Sequence, residues 1–501
     1  MKLILFIIAA SILFPSNIYA HELPDLGDVS QATITPREER QIGLQIMRQI
    51  RADPSYLDDP EITSYLNSLG HKLISNSSEA EPGQSFEFFA LQNSAINAFA
   101  LPGGFMGFNS GLIIAAQSES ELAGVMAHEI AHVTQKHLAR MISGQKYSMI
   151  TSLAALAVAI IAARSNPQAG SAIMATTQAS MIQSQLDFTR KHEKEADRIG
   201  LGILVDAGFD PQGMSTFFER LQIAGRFYEN GAPSYLRTHP LTYERIADIQ
   251  NRTQELAYRQ VTDSTDFQLV RAKLRAFDGK PQDAVKQFRA RLDETRYTNE
   301  VVERYGYTIA LLRDKKNKQA EKELAKLYSI LQDTSKNPIL EDHQLGDTIQ
   351  IKHKNIQAGA MIETLSAGVK LANGQTKEAF HVYREALKVY PQHRALIHGY
   401  AFALLQNQQA KTALKFVNKQ LRYHHNDVNL YRLQAQIYAA LDNKMLKHRA
   451  QAEVYIHQGY FDAAVEQLQI ALQHDNGDFY QLSTVEARLK QLQTRIAEDE
   501  N

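Results

Sequence analysis

The stretches "DGKPQDAVKQFRARL", "NGQTKEAFHVYREALKVYP", "NQQAKTALKFVNKQL" and "QGYFDAAVEQLQIAL" share one order: a turn, a small residue, then an apolar or aromatic residue four positions on. The small residues Ala379 and Ala413 lie 34 positions apart. A repeat of that length makes one helix pair, too little to bury its own apolar face, so it must stack on a neighbour. The second half of the chain is thereby constrained to a pile of helix pairs. The competing arrangement is a non-repetitive helical bundle with alanine-rich seams.

The 34-residue period is that of tetratricopeptide repeats, in which a small residue lets two antiparallel helices approach. Gly374, Ala379, Tyr383, Ala386 and Pro391 hold the repeat's characteristic positions. Ala284 and Ala464 hold the small position in two weaker copies, and Ala320 in a third. This texture begins near residue 262, and a chain of 501 residues is too long for one core. The expected division is a signal peptide over 1–20, a domain over 21–261 and a repeat solenoid over 262–501.

At the N-terminus Lys2 precedes an apolar run from Leu3 to Phe14, broken by Pro15, Ser16 and Asn17 and followed by the small Ala20. This is the order of a secretory signal peptide, and the run is too short to span a bilayer. In a Gram-negative bacterium the predicted location is the periplasm. With no cysteine, the chain offers neither a disulfide nor an N-terminal lipidation site. A formal net charge of -1, from 54 basic and 55 acidic residues, argues against a nucleic-acid partner held by bulk charge.

Residues 21 to about 35 read as a loose leader. Thr35 and Pro36 suit the start of a helix carrying Ile42, Ile46 and Ile50, and "SFEFFALQNSAINAFALPGGFMGFNSGLI" alternates like strands with a turn at Pro102 to Gly104. "NAFALPGG" is predicted as an edge strand, to which an extended substrate can add by backbone pairing, or as a merely structural hairpin. Helical periodicity resumes at "SESELAGVMAHEIAHVTQKHLARMI". Ser148 to Ala163 is the most apolar internal stretch, short of a spanning helix, and is predicted to be buried or to make peripheral membrane contact.

Within the last helix, His128 and His132 stand one turn apart and can turn ring nitrogens toward one ion, while Glu129 is rotated roughly 100° to reach a bound water. A catalytic zinc keeps three protein ligands and an open corner. A metzincin would place His at 138 and Gly at 135, and Leu138 and Gln135 exclude it. His137 is rotated off the shared face and is assigned to the surface. "RKHEKEADRIGLGILVDAGF" offers Glu193 as third ligand, with Asp197 one turn on to accept a hydrogen bond from a ligand histidine; Glu195 points elsewhere on that helix.

H-E-x-x-H with a downstream E-x-x-A-D resembles the gluzincin metallopeptidases of the HtpX, Oma and CAAX prenyl protease branch. "NAFALPGGFMGFNSGLI", "HEKEADRIG", "GFDPQGM" and "THPLTYERIAD", followed by repeats, are similar in order to the periplasmic, repeat-bearing members of that group. The resemblance implies an α+β metallopeptidase domain, mostly helical with a small sheet, followed by an all-α tetratricopeptide-repeat solenoid. It implies one Zn2+ per chain on His128, His132 and Glu193, with Glu129 catalytic and Asp197 behind a ligand. It also implies an endopeptidase with chaperone-like activity on unfolded or stalled outer-membrane β-barrel proteins. Expected partners are the barrel-assembly machinery and the lipopolysaccharide-export barrel. The matching histidine of such relatives lies near the metal, so His239 is predicted to donate to an oxyanion or to fill the fourth position, against a plain turn-capping role. The rival function is a non-proteolytic periplasmic chaperone or adaptor with a structural or regulatory metal.

Overall fold

The computed structural model describes residues 35–81, 83–142, 179–227, 234–257, 259–332, 356–474 and 479–500. The signal peptide expected over 1–20 and the apolar stretch at 148–163 lie outside the described residues. Among the described residues no helix is long and apolar enough to cross a membrane.

The helix Pro36–Ala52 starts on a capping box: Thr35 Oγ1 accepts from Glu38 N at 3.2 Å while Glu38 Oε2 accepts from Thr35 N at 2.8 Å. It buries Ile46, Met47 and Ile50 against one face of a three-stranded sheet, ordered β1-β3-β2, with β1 Glu87–Leu91, β2 Ala98–Leu101 and β3 Phe105–Asn109. β1 runs parallel to β3, and β2 antiparallel. Side chains alternate between faces: Phe89 and Leu91 meet the first helix, whereas Phe88 and Ala90 meet the core shared with the helix Pro60–Ser75. The β2–β3 turn needs glycine at 104, where φ is +77° and a Cβ would stand 1.9 Å from the Ser85 carbonyl oxygen.

The helix Glu119–Thr134, capped by Ser118, is packed on nearly every side by Pro60–Ser75, Ala179–Asp206, Gln212–Phe227 and β2. It meets Ala179–Asp206 where Gly200 faces His128; a Cβ on Gly200 would lie 3.0 Å from the Cα and backbone N of His128. The close crossing brings the acidic residues of one helix to the histidines of the other.

From Thr265 the described chain is all helix. Ala284, Ala320, Ala379, Ala413 and Ala464 are each no more than 3% exposed, at the seams where helices meet. The turns between paired helices carry a left-handed residue at the same 34-residue interval: Gly374 (φ +76°), Gln408 (+59°) and Asp442 (+57°). The molecule is thus an α+β domain with a small sheet followed by tetratricopeptide-like helix pairs.

The two halves share one core, which runs without interruption from Ile62 to Val369 across residue 261. Glu119 accepts from Tyr65 OH (2.9 Å), Ser264 N (2.9 Å) and Ser264 Oγ (2.7 Å). Lys273 Nζ lies 2.5 Å from Asp59 and 2.6 Å from Glu61. The far repeats return to the start of the chain, where Tyr460 OH donates to the Arg48 carbonyl at 3.0 Å and Asn429 Nδ2 to Asp58 Oδ1 at 2.9 Å. Between the halves lies a cavity of about 1190 Å³, lined among others by Tyr56, His71, Tyr390, His398 and Arg432.

Candidate metal centre

His128, His132, Glu193 and His239 converge, each offering one ligand atom, with all of these atoms within 4.8 Å of one another. The Nε2 atoms of His128 and His132 are 3.1 Å apart, and Glu193 reaches each of them at 3.4 Å. His239 Nδ1 lies 3.0 Å from Glu193 Oε1 and 3.4 Å from His128 Nε2. Ligands bound at about 2.0–2.1 Å in a tetrahedron stand about 3.3–3.4 Å from each other. These contacts of 3.0–3.4 Å approach those edges within a cluster whose ligand atoms lie within 4.8 Å of one another, in a donor set of imidazole nitrogens and a carboxylate that suits zinc.

The charges ask for a cation as well. Glu129, Glu193 and Asp197 are buried with one arginine, Arg245, whose Nε and Nη2 donate to Asp197 at 2.7 and 2.8 Å and whose Nη1 lies 2.8 Å from Glu193. Burial alone would raise the Glu193 carboxyl, but His239, His128 and His132 hold it well below the ordinary range. Asp197 is held down against burial by Arg245 and His128. Burial works against a charged His128, yet Asp197 and Glu193 lift its ring to about 9, so without a metal it holds a proton that a cation would displace. His128 Nδ1 sits 3.1 Å from Asp197 Oδ1, a charge contact rather than an aligned hydrogen bond. Burial pushes His132 well down.

Glu129 is fully buried, and neither carboxylate oxygen has a hydrogen-bond partner among the described residues. Burial raises its carboxyl, and His239 and His128 offset this only in part. His239 Nε2 is 3.5 Å away. A buried, unsatisfied carboxylate beside the ligand cluster is the arrangement a proton acceptor for attacking water requires. His239 itself is buried and stacked on Tyr235 (4.7 Å between ring centres), so its side chain lies within the cluster rather than at a surface turn.

One assignment is corrected. His137 is 2% exposed rather than at the surface, with Nδ1 2.9 Å from His132 Nδ1. The rotation argument assumed one continuous helix, but the chain breaks at Lys136, which takes φ +52°, and a new helix, His137–Ile142, starts in another direction. Glu195 does point away from Glu193, and there it meets His137 Nε2 at 3.1 Å and Arg140 Nη2 at 2.7 Å. Arg245 and Tyr235 escaped sequence reasoning, since one of two arginines on the polar helix Tyr243–Gln254 and a single tyrosine in the short helix Ser234–Thr238 carry no periodic signal.

Residues 60–253 match the profile of Peptidase family M48, and residues 370–437 match that of a tetratricopeptide repeat. The β-barrel assembly-enhancing protease of Escherichia coli strain K12 is 33% identical over 478 residues, 94% of this chain and 91% of that one. The protein of that name from Yersinia pestis is 33% identical over 308 residues, 61% of this chain and 63% of its own. The mitochondrial metalloendopeptidase OMA1 of Schizosaccharomyces pombe is 29% identical over 200 residues, 40% and 56% of the two chains.

Proposed function

The chain belongs to peptidase family M48 as a metallopeptidase with C-terminal tetratricopeptide repeats, and from that premise we propose a periplasmic zinc endopeptidase that acts on unfolded or stalled outer-membrane β-barrel proteins. Zinc held by His128, His132 and Glu193 would supply Lewis-acid polarisation of a water and of the scissile carbonyl. Glu129 takes the proton from that water as it attacks and passes it to the leaving amine. Asp197 and Arg245 keep the acidic helix in place behind the ligands. An extended client adds along the outer strand β2, through backbone groups that unpaired β-segments have to spare.

The observation that carries this reading is the orphaned Glu129 carboxylate beside four convergent ligand atoms. The expected outcome for Glu129→Gln is loss of cleavage of an unfolded outer-membrane barrel, with zinc content and client binding kept, measured by gel assay and metal analysis. Retained cleavage would remove Glu129 from the mechanism.

The approach of His239 Nδ1 to Glu193 Oε1 at 3.0 Å and to His128 Nε2 at 3.4 Å supports a resting latch over an oxyanion donor. His239→Ala should therefore cleave the same client faster than wild type; a slower variant returns the residue to the oxyanion role. Chaperone-like handling of clients, with the barrel-assembly machinery and the lipopolysaccharide-export barrel as partners, rests on the similarity to the β-barrel assembly-enhancing proteases and on the cavity between the halves.

A further inference from the structure

The two imidazoles proposed to hold zinc are supported differently. His128 has Asp197 beside its Nδ1, an arrangement common behind zinc-bound histidines. Among the described residues no carboxylate meets His132 there; its Nδ1 faces another imidazole, that of His137, at 2.9 Å. The far nitrogen of His137 faces Glu195 at 3.1 Å, and Arg140 donates to the same carboxylate oxygen at 2.7 Å. The ring of His192 lies flat on His137, 4.2 Å away and tilted by 4°, which fixes the plane of the relay.

The order of protons along this chain follows from the inventory of donors. An ionised carboxylate only accepts, so His137 Nε2 carries hydrogen toward Glu195. A neutral imidazole with hydrogen on Nε2 has a bare lone pair on Nδ1. His132 must then place its own hydrogen on Nδ1 to fill that contact, which leaves its Nε2 bare. That Nε2 is the atom turned toward His128 Nε2 and Glu193 Oε1.

We propose that His137 and Glu195 are positioning residues that set the tautomer and ring orientation of His132, so that its Nε2 is presented as a metal ligand. The inference rests on the metal-centre reading above. It makes one helix the source of three distinct supports: Glu193 as ligand, Asp197 behind His128, and Glu195 behind His132 through an intervening ring. Glu195 can reach His132 only because the break at Lys136 turns His137 back toward that helix.

The test uses the full chain, zinc competition against a chromophoric chelator, and the visible spectrum of the cobalt(II)-substituted protein, with the melting temperature of the metal-free form as a control for folding. His137→Phe removes the acceptor and should weaken zinc binding roughly 10–100-fold and shift the cobalt bands. His137→Asn puts an oxygen near the position of Nδ1, can accept from His132, and should restore most of the affinity. Wild-type zinc affinity and an unchanged cobalt spectrum in His137→Phe overturn the proposal, as does an Asn variant as weak as the Phe variant. If His137→Phe fails to fold, Glu195→Ala takes its place, since that side chain is 30% exposed: weaker zinc binding supports the relay, and wild-type binding overturns it. Absence of zinc binding in the wild type itself would instead overturn the metal centre, and the relay with it.

Discussion

Arg245 is the least conspicuous residue of the site in the sequence and the one whose loss the fold should feel most. It is 2% exposed and the cation shared by Glu193 and Asp197. Removing one partner of a buried ion pair leaves charge stranded in a poor solvent, at a cost of about 3–5 kcal/mol. Arg245→Met should lower stability in urea by that amount in metal-free protein, and added zinc should recover part of it, because a bound cation again compensates Glu193. Equal stability of the variant and wild type without metal would show that the carboxylates are neutralised some other way. The convergence of His128 and His132 beside Glu129 was legible because helical spacing places them, and the pair Glu193 and Asp197 because the same rule holds one helix later. His137 was misplaced because its position depends on a single left-handed residue, and no periodicity extends through such a break.

At the scale of elements, the repeat turns carry a cost that the sequence leaves visible. Gly374 takes its left-handed conformation freely, whereas Gln408, 34 residues on, takes the same conformation with a side chain. Gln408→Gly should raise the melting temperature, with a gain of up to about 1 kcal/mol once the extra freedom of glycine in the unfolded chain is deducted. No gain in a thermal melt would mean that Gln408 side-chain contacts outweigh the backbone strain. The helix pairs themselves were readable from small residues at a fixed interval, and Ala379 and Ala413 are completely buried where such pairs meet. The alternation of Phe88 with Phe89 likewise announces a sheet covered on both faces. That β1 pairs with β3 and not with β2 was not readable, since alternation shows which faces are apolar but not which strand lies beside which.

For the molecule as a whole, the seam between peptidase and repeats is acidic. Glu119, Asp263 and Asp266 gather there, and Asp266 Oδ1 is buried without a hydrogen-bond partner among the described residues. Burial first, and Glu119 second, raise Asp266 from 3.8 to about 6. A carboxyl raised in the folded state favours folding only while protonated: its contribution is complete below 3.8 and is lost as pH climbs through about 6. Asp266→Asn should accordingly stabilise the protein by about 1–2 kcal/mol at pH 7.5, a figure reduced for partial exposure, and by almost nothing at pH 4. Denaturant melts at the two pH values check this, and an equal gain at both would assign the effect to packing.

A core that runs unbroken from Ile62 to Val369 has a further consequence, for how the enzyme comes into being. The residues proposed to cut, bind and latch are all synthesised by position 245, but the helix bearing His128 is anchored through Glu119 to Ser264, and its surroundings are completed only by later helices. A growing or truncated chain ending near 261 therefore holds every proposed site residue and lacks part of the core against which their helices pack. On the proposed reading, hydrolysis should begin only once the repeats have been built around the site.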